Sequence, residues 1–252
     1  MVKNSMLSVV IITLNEEAKI RDCLESVKWA DEIIIVDSCS RDTTAEVAGE
    51  YTSKIHQREF TGFGEQKNYA LSKAKGDWVL SIDADERVTP ELREEILRTL
   101  SNPRACGYYM RRKSYFANKW IKHCGWWPDY VLRLFRRDCG RFSDRLVHEA
   151  LKLDGPTARL NNPLEHRPYL SVSEFIRKVD EYSTLGAQDL VAEGTHCSCC
   201  TALSHSALAF VKTYFLKMGI LDGWMGLVIA YSNAVGVFYR YVKCVEMKEQ
   251  QK

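Results

Sequence analysis

GDWVLSIDADERVTPE, residues 76–91, is the stretch whose reading decides the fold. Trp78 to Ile82 is a short apolar run interrupted only by Ser81, the pattern of a strand covered on both faces in a parallel sheet. It stops at Asp83-Ala84-Asp85-Glu86. Thr89-Pro90-Glu91 then opens a helix with a capping hydroxyl, a proline at the first helical position and an acid in the first turn. Upstream, Glu65 to Ala74 reads as a helix entered through Gly62 and Gly64 and stopped by Gly76. Further back lie a short strand around Lys54-Ile55-His56, a helix to Ala48 capped by Ser40 or Asp42, and a buried strand from Glu32 to Asp37. Before these, Asn15 is expected to cap a helix striped by Ile20, Leu24 and Val27, and Ser8 to Thr13 forms the first strand. This βαβα order predicts an α/β fold with a doubly wound, mainly parallel sheet.

Downstream the pattern changes. Residues 112–120 and 130–136 alternate imperfectly, as strands of a mixed region do. After Glu165 the chain reads as helical to its end. Ser171-Val172-Ser173-Glu174 is a capping box for a helix striped by Phe175, Val179 and Tyr182, and two more helices fit residues 201–218 and 221–245. Gly223 to Tyr239 is 17 residues without a charge, at the lower limit for spanning a bilayer. Its glycines, with Ser232 and Asn233, lower its hydrophobicity. The rings of Trp224, Tyr231, Phe238, Tyr239 and Tyr241, with Lys212, Lys217, Arg240 and Lys243, suit a helix lying in a membrane interface.

In 252 residues, 35 basic side chains face 33 acidic ones, so a globally basic nucleic-acid binder is not indicated. The charge is uneven: residues 104–145 hold 11 Lys and Arg against 3 Asp, a local positive field for anionic ligands. Nine cysteines and no secretory signal point to free thiols in a reducing cytoplasm. His196 to Cys200, with His205, lacks a second cysteine pair to complete a four-ligand zinc site.

Ligands of open α/β sheets bind beyond the carboxyl ends of the strands. Three such ends are polar here: Thr13-Leu14-Asn15-Glu16, Asp37-Ser38-Cys39-Ser40 and Asp83-Ala84-Asp85. Neither a dinucleotide-binding GxGxxG nor a P-loop occurs, so phosphate is handled otherwise. Two carboxylates around the small Ala84 suit a hard divalent cation, Mg²⁺ or Mn²⁺, which neutralises a diphosphate. Asp37 is placed to accept hydrogen bonds from a base or ribose.

The ordered set SVVIITLNEE, EIIIVDSCSRDTT and GFGEQKNYALSKAKGDWVLSIDADE resembles the inverting family 2 glycosyltransferases of the GT-A fold over roughly residues 7–100. RLVHEAL and FLKMGILDGWMGLVIAYSNA resemble a narrower group, the bacterial enzymes that add glucose to the inner core of lipopolysaccharide or lipooligosaccharide. The resemblance implies a transferase domain over residues 1–165 and a C-terminal helical region, associated with a membrane surface, over 166–252. It places Thr13, Asn15 and Glu16 on the uridine side of a UDP-sugar, and Asp37 on the uracil with Ser38 and Ser40 nearby. Lys67 of the pair Lys67-Asn68 stands beside the nucleotide. Asp83, with Ala84 next to it, falls on the ribose or the metal's water shell, and Asp85 on the metal.

The family's acidic general base falls on Glu149. His148 stands where many members have an acid, as a metal ligand or its partner, and Asp129 and Asp144 are rival bases. Trp126 and Trp127 are expected to form a platform for acceptor sugars. Arg133, with Arg111, Arg112, Lys113, Arg136 and Arg137, is expected to meet the phosphates of an anionic glycolipid, with Asp129 on the same acceptor side. The implied enzyme is peripheral on the cytoplasmic face of the inner membrane and binds no nucleic acid. The Gln-x-x-Arg-Trp motif of processive synthases is absent, so transfer of a single hexose is expected. A polyprenyl phosphate or peptide acceptor, or a non-catalytic membrane-associated nucleotide-sugar binding module, are the other readings.

Overall fold

β-Branched runs too apolar to face water and too short for helices form the centre of the molecule, a computed structural model that describes residues 5–143 and 150–250. In chain order the elements are β1 (Leu7–Thr13), α1 (Glu17–Val27), β2 (Glu32–Asp37), α2 (Thr44–Gly49), β3 (Ile55–Gln57), α3 (Phe63–Lys73), β4 (Trp78–Asp83), β5 (Glu86–Val88) and α4 (Pro90–Ser101). There follow β6 (Gly107–Phe116), β7 (Lys119–Trp120), β8 (Asp129–Arg136), β9 (Gly140–Phe142), β10 (Leu151–Leu153), β11 (Thr157–Arg159) and β12 (Leu164–Tyr169). The helices α5 (Val172–Ala192), α6 (Cys199–Val211) and α7 (Trp224–Gln250) complete the chain.

The main sheet runs β3-β2-β1-β4-β8-β6-β12-β5. Its first four strands are parallel, while β8 is antiparallel to β4 and to β6, and β5 to β12. This is the mixed, mainly parallel α/β sheet of the GT-A fold. The central strands are buried on both faces: Val9, Ile11, Ile34, Ile35, Val79, Leu80 and Ile82 are fully excluded from water. Each such side chain contributes about 1.5–3 kcal/mol relative to exposure. Thr89 caps α4 as expected, accepting the Leu92 N–H at 3.2 Å. Gly76 has a different role from the expected helix stop. α3 has already ended, and a Cβ on Gly76 would sit 2.7 Å from the Met6 carbonyl oxygen, so only glycine lets this turn approach the start of β1.

The chain divides into two compact units, Met1–Arg112 with Asp129–His166, and Lys113–Pro128 with Arg167–Lys252. The second unit takes residues 113–128 because they supply its core: Phe116, Ile121 and Cys124 are buried with Phe175 of α5 and Ile229 of α7. Within it, α6 and α7 are joined by His205 stacked on Tyr241 and by the Ser206 hydroxyl donating to the Ala234 carbonyl at 2.8 Å. Lys243 of α7 binds Asp180 of α5 at 2.7 Å. The expected helix 201–218 differs at its end: α6 gives way to a π-turn, Lys212–Leu216, and then to a 3-10 turn, Gly219–Asp222. Of the rings read as suiting a membrane interface, Trp224, Tyr231 and Tyr239 are exposed while Tyr241 is buried. Tyr182, expected to face inward on α5, is exposed. No helix among the described residues is long and apolar enough to cross a membrane.

Candidate active site

Strand register assembles the site. Thr13 lies opposite Asp37 across β1 and β2, and Ile12 opposite Asp83 across β1 and β4, so three polar strand ends share one rim. The loops leaving β1 and β2 are tied together. The Ser38 N–H donates to the Thr13 carbonyl at 2.8 Å, the Asn15 N–H to the Ser40 hydroxyl at 2.9 Å, and the Glu16 N–H to the Thr44 hydroxyl at 2.8 Å. Asp37 is fully buried and accepts the Ser40 N–H at 2.9 Å and the Ser40 hydroxyl. Asn15 is not the helix cap expected of it. It adopts left-handed backbone at φ 53°, its side-chain oxygen accepts the Arg41 N–H at 2.8 Å, and α1 begins at Glu17. Asparagine tolerates that conformation better than most residues.

Lys67, Asp83 and Asp85 complete the rim. The Lys67 ammonium, on α3 and nearly excluded from solvent, lies 3.0 Å from one oxygen of Asp83. Arg133 of β8 binds the other oxygen and reaches Glu86 at 2.7 Å. Arg112 continues the chain, 3.7 Å from Glu86 and 2.6 Å from Asp129. Burial opposes the charge on Asp83, but Arg133 and Lys67 outweigh it and hold its carboxyl well below the ordinary range. The same pairing raises the affinity of Arg133 for its proton against the opposing effect of burial. Arg133 and Asp129, assigned by sequence to the acceptor, are thus part of an ion-pair chain that braces Asp83.

Asp85 differs from its neighbour. One of its oxygens lies 3.6 Å from the His166 ring. The other is buried with no hydrogen-bond partner among the described residues. Burial opposes its charge as well, and nearby His166 outweighs it, so its carboxyl is held low and ionised. Ala84, 4% exposed, adds almost no bulk between the two acids. The hydroxyl of Thr13 and the amide oxygen of Gln66 are also buried without partners. Gln66 otherwise donates to the Ser38 hydroxyl at 3.1 Å. Buried polar atoms normally find partners. Unsatisfied acceptors at a strand-end rim are what a bound ligand or cation would satisfy.

Sequence reasoning missed His166 and Gln66. His166 reaches Asp85 because β12 pairs with β5, which sets His166 opposite Glu86. The partners are 81 residues apart and share no local pattern. Glu149, His148 and Asp144 lie outside the described residues. Their flanks are anchored: Phe142 and Asn68 exchange hydrogen bonds at 2.9 and 3.0 Å, and Ser143 and Ala150 bond each other at 2.9 Å. Trp126 and Trp127 belong to the second unit, where Trp126 packs beside Tyr169 and Trp127 stands edge-on to Trp120 at 5.3 Å. Among the described residues no group of three His, Cys, Asp or Glu side chains is arranged to hold a metal. Cys197 faces Cys244, with 2.6 Å between the sulfurs.

The mixed sheet thus carries a rim of polar and acidic side chains at the carboxyl ends of its parallel strands. The model of glycosyl transferase family 2 matches residues 8–151, and the chain belongs to that family and is a glycosyltransferase. It is 31% identical to the lipopolysaccharide core biosynthesis glycosyltransferase LpsC of Rhizobium meliloti, over 96% of this chain and 95% of the relative. It is 27% identical to an uncharacterized glycosyltransferase of Rickettsia typhi, over 96% of this chain and 87% of the relative. Among solved structures, S. aureus TarS 1–349 in complex with UDP is similar over 98% of this chain and 92% of that one, at a TM-score of 0.49 and 14% identity.

Proposed function

We propose that this glycosyltransferase moves a single hexose, glucose in our reading, from a UDP-sugar to a lipopolysaccharide-core glycolipid, with inversion at the anomeric carbon. The observation that carries the donor half is the asymmetry of the two rim acids. Asp83 is saturated by Lys67 and Arg133, whereas Asp85 keeps an unpartnered buried oxygen beside His166. A hard carboxylate oxygen suits Mg²⁺ or Mn²⁺. Asp85 and His166 would hold the cation, with His148 as a further donor, and when bound it supplies charge compensation to the diphosphate leaving group.

The remaining roles fall to the chain itself. Thr13, Asn15, Glu16, Asp37, Ser38 and Ser40 form the uridine side. Asp37 accepts hydrogen bonds from the base, Lys67 offers positive charge to the nucleotide, and Asp83 faces the ribose with Ala84 leaving room. Glu149 takes the proton of the acceptor hydroxyl as that oxygen attacks the face opposite the diphosphate. General-base assistance of this kind contributes roughly 10²–10⁴-fold. Ala150, the residue after Glu149, is tied to Ser143 beside the Asn68 anchor. Of the residues read from the sequence for the acceptor, Arg111, Arg136 and Arg137 are left to receive it, because Arg112, Arg133 and Asp129 brace Asp83. The relationship to LpsC supports the core-glycolipid assignment, and with it a peripheral position on the cytoplasmic face of the inner membrane.

Calorimetric titration of UDP with and without Mn²⁺ tests the donor half. Binding by the wild type is expected to tighten with the metal, and Asp85→Asn to abolish that gain while still folding. Metal-independent UDP binding in the wild type refutes it. Glu149→Gln is expected to bind UDP normally and to lose transfer. Normal turnover in that variant removes Glu149 from the base role.

A further inference from the structure

The second unit carries a surface that the transfer chemistry does not use. Of 19 exposed large apolar side chains among the described residues, 16 lie in this unit, and eight of those fall between Val211 and Leu227. That segment is the turn joining α6 to α7. Phe215, Leu216, Met218, Ile220, Leu221 and Trp224 are each 47% exposed or more, and Leu216 reaches 76%. The turn is nonetheless tightly built. Thr213, Gly219, Asp222 and Gly226 face inward, and a Cβ on Gly226 would lie 1.8 Å from the Gly219 carbonyl oxygen. The apolar side chains therefore point outward from a firm backbone.

Charge identifies the occupant. From Cys199 to Tyr239 the charged residues are Lys212, Lys217 and Asp222. Asp222 is buried, its carboxylate accepting the His123 N–H at 2.8 Å and the Lys122 N–H at 3.3 Å. Lys212 and Lys217 are exposed. The surface thus shows water apolar side chains and positive charge only. In a two-fold contact between copies, Lys212 and Lys217 would approach like charges on the partner. An anionic lipid surface complements both features at once.

We infer that the α6–α7 turn is a monolayer-inserting membrane anchor, its apolar side chains entering the acyl boundary and Lys212 and Lys217 pairing with phospholipid phosphates. The inference deepens the reading of an enzyme that meets a lipid-borne acceptor. Its test needs neither donor nor acceptor, so the two can fail separately.

The full chain is sedimented with phosphatidylcholine vesicles, with and without about 30 mol% phosphatidylglycerol. Binding is expected on the anionic vesicles and is expected to weaken with salt. Leu216→Ser/Leu221→Ser is expected to lower partitioning by about tenfold or more. Lys212→Gln/Lys217→Gln, at exposed sites, is expected to remove an anionic preference of roughly tenfold. Equal partitioning onto both vesicle types, or variants that partition like the wild type, overturns the inference. So does a concentration-dependent dimer that Leu216→Ser/Leu221→Ser abolishes, which assigns the surface to a second copy. UDP binding is measured on the same samples. If UDP binding is lost in the wild type while vesicle binding persists, the transferase reading fails and the anchor stands.

Discussion

The rim of the sheet and the α6–α7 turn solve opposite problems. At the rim, cations are set against acids in a connected chain, Lys67–Asp83–Arg133–Glu86–Arg112–Asp129, and the carboxylate oxygen left over among the described residues belongs to Asp85. At the turn the one acid is consumed internally, and the outside is left apolar and cationic. A site for a small charged ligand has its polar groups oriented before the ligand arrives, which lowers the cost of reorganisation on binding. A surface for an extended partner keeps its polar groups inside and leaves apolar area uncovered. The comparison suggests that electrostatic damage will dominate in one region and steric damage in the other.

The largest expected effect breaks the rim. Arg133→Met leaves fully buried Glu86 and one oxygen of Asp83 without their strongest partner. Removing one member of a buried ion pair costs about 3 kcal/mol or more. Chemical denaturation should register that loss, and donor affinity should fall with it because Asp83 is no longer held. A change below about 0.5 kcal/mol would mean that Arg112 and Lys67 suffice. The steric counterpart is Gly226→Ala. A methyl group 1.8 Å from the Gly219 carbonyl cannot be accommodated without opening the turn. We expect a loss of about 2 kcal/mol, the range of overpacking, with faster hydrogen exchange at residues 213–226 and no change at β1 or β4.

Proton linkage sharpens the electrostatic side. The carboxyl of Asp83 is held below its ordinary value of 3.8. A depressed acid contributes stability that is fully present above its unfolded pKa and is lost as pH falls through the folded one. The stability gap between wild type and Asp83→Asn should therefore be constant above about pH 5. It should narrow as the solution is acidified below 3.8. A gap that widens on acidification reverses the sign and contradicts the pairing. No comparable acid dependence is expected from Gly226→Ala.

Legibility in the sequence followed the range of the interactions. The parallel strands could be read because each is a local β-branched run, and the Thr89 and Ser171 caps because a cap is defined within four residues. The strand-end acids stood out because strand ends are local too. His166 could not be found, since its place beside Asp85 depends on β12 pairing with β5. Arg133 was read as a free cation for an acceptor because its acids lie on other strands, and burial decided otherwise. The membership of residues 113–128 in the helical unit was hidden for the same reason: Phe116, Ile121 and Cys124 look like strand and loop residues until Phe175 and Ile229 pack on them. At the α6–α7 turn, the lack of charge was visible, but which side chains face water depended on Gly219 and Gly226 meeting.

The smallest expected effect asks whether the two units respond alike where their chemistry is the same. Thr89 caps α4 in the first unit by accepting the Leu92 N–H at 3.2 Å, and Ser171 caps α5 in the second by accepting the Glu174 N–H at 3.1 Å. The Glu174 carboxylate also takes the Leu170 N–H at 2.7 Å, so one donor at the α5 terminus stays satisfied when the hydroxyl is removed. Replacing a capping hydroxyl with alanine costs about 1 kcal/mol, or roughly a fivefold rise in amide exchange in the capped turn when exchange proceeds by local opening. Thr89→Ala should show the full effect in the first turn of α4. Ser171→Ala should show a smaller one in α5, where the Glu174 carboxylate still holds the Leu170 N–H. Equal effects at neutral pH would mean that the Glu174 contact contributes nothing to holding the start of α5.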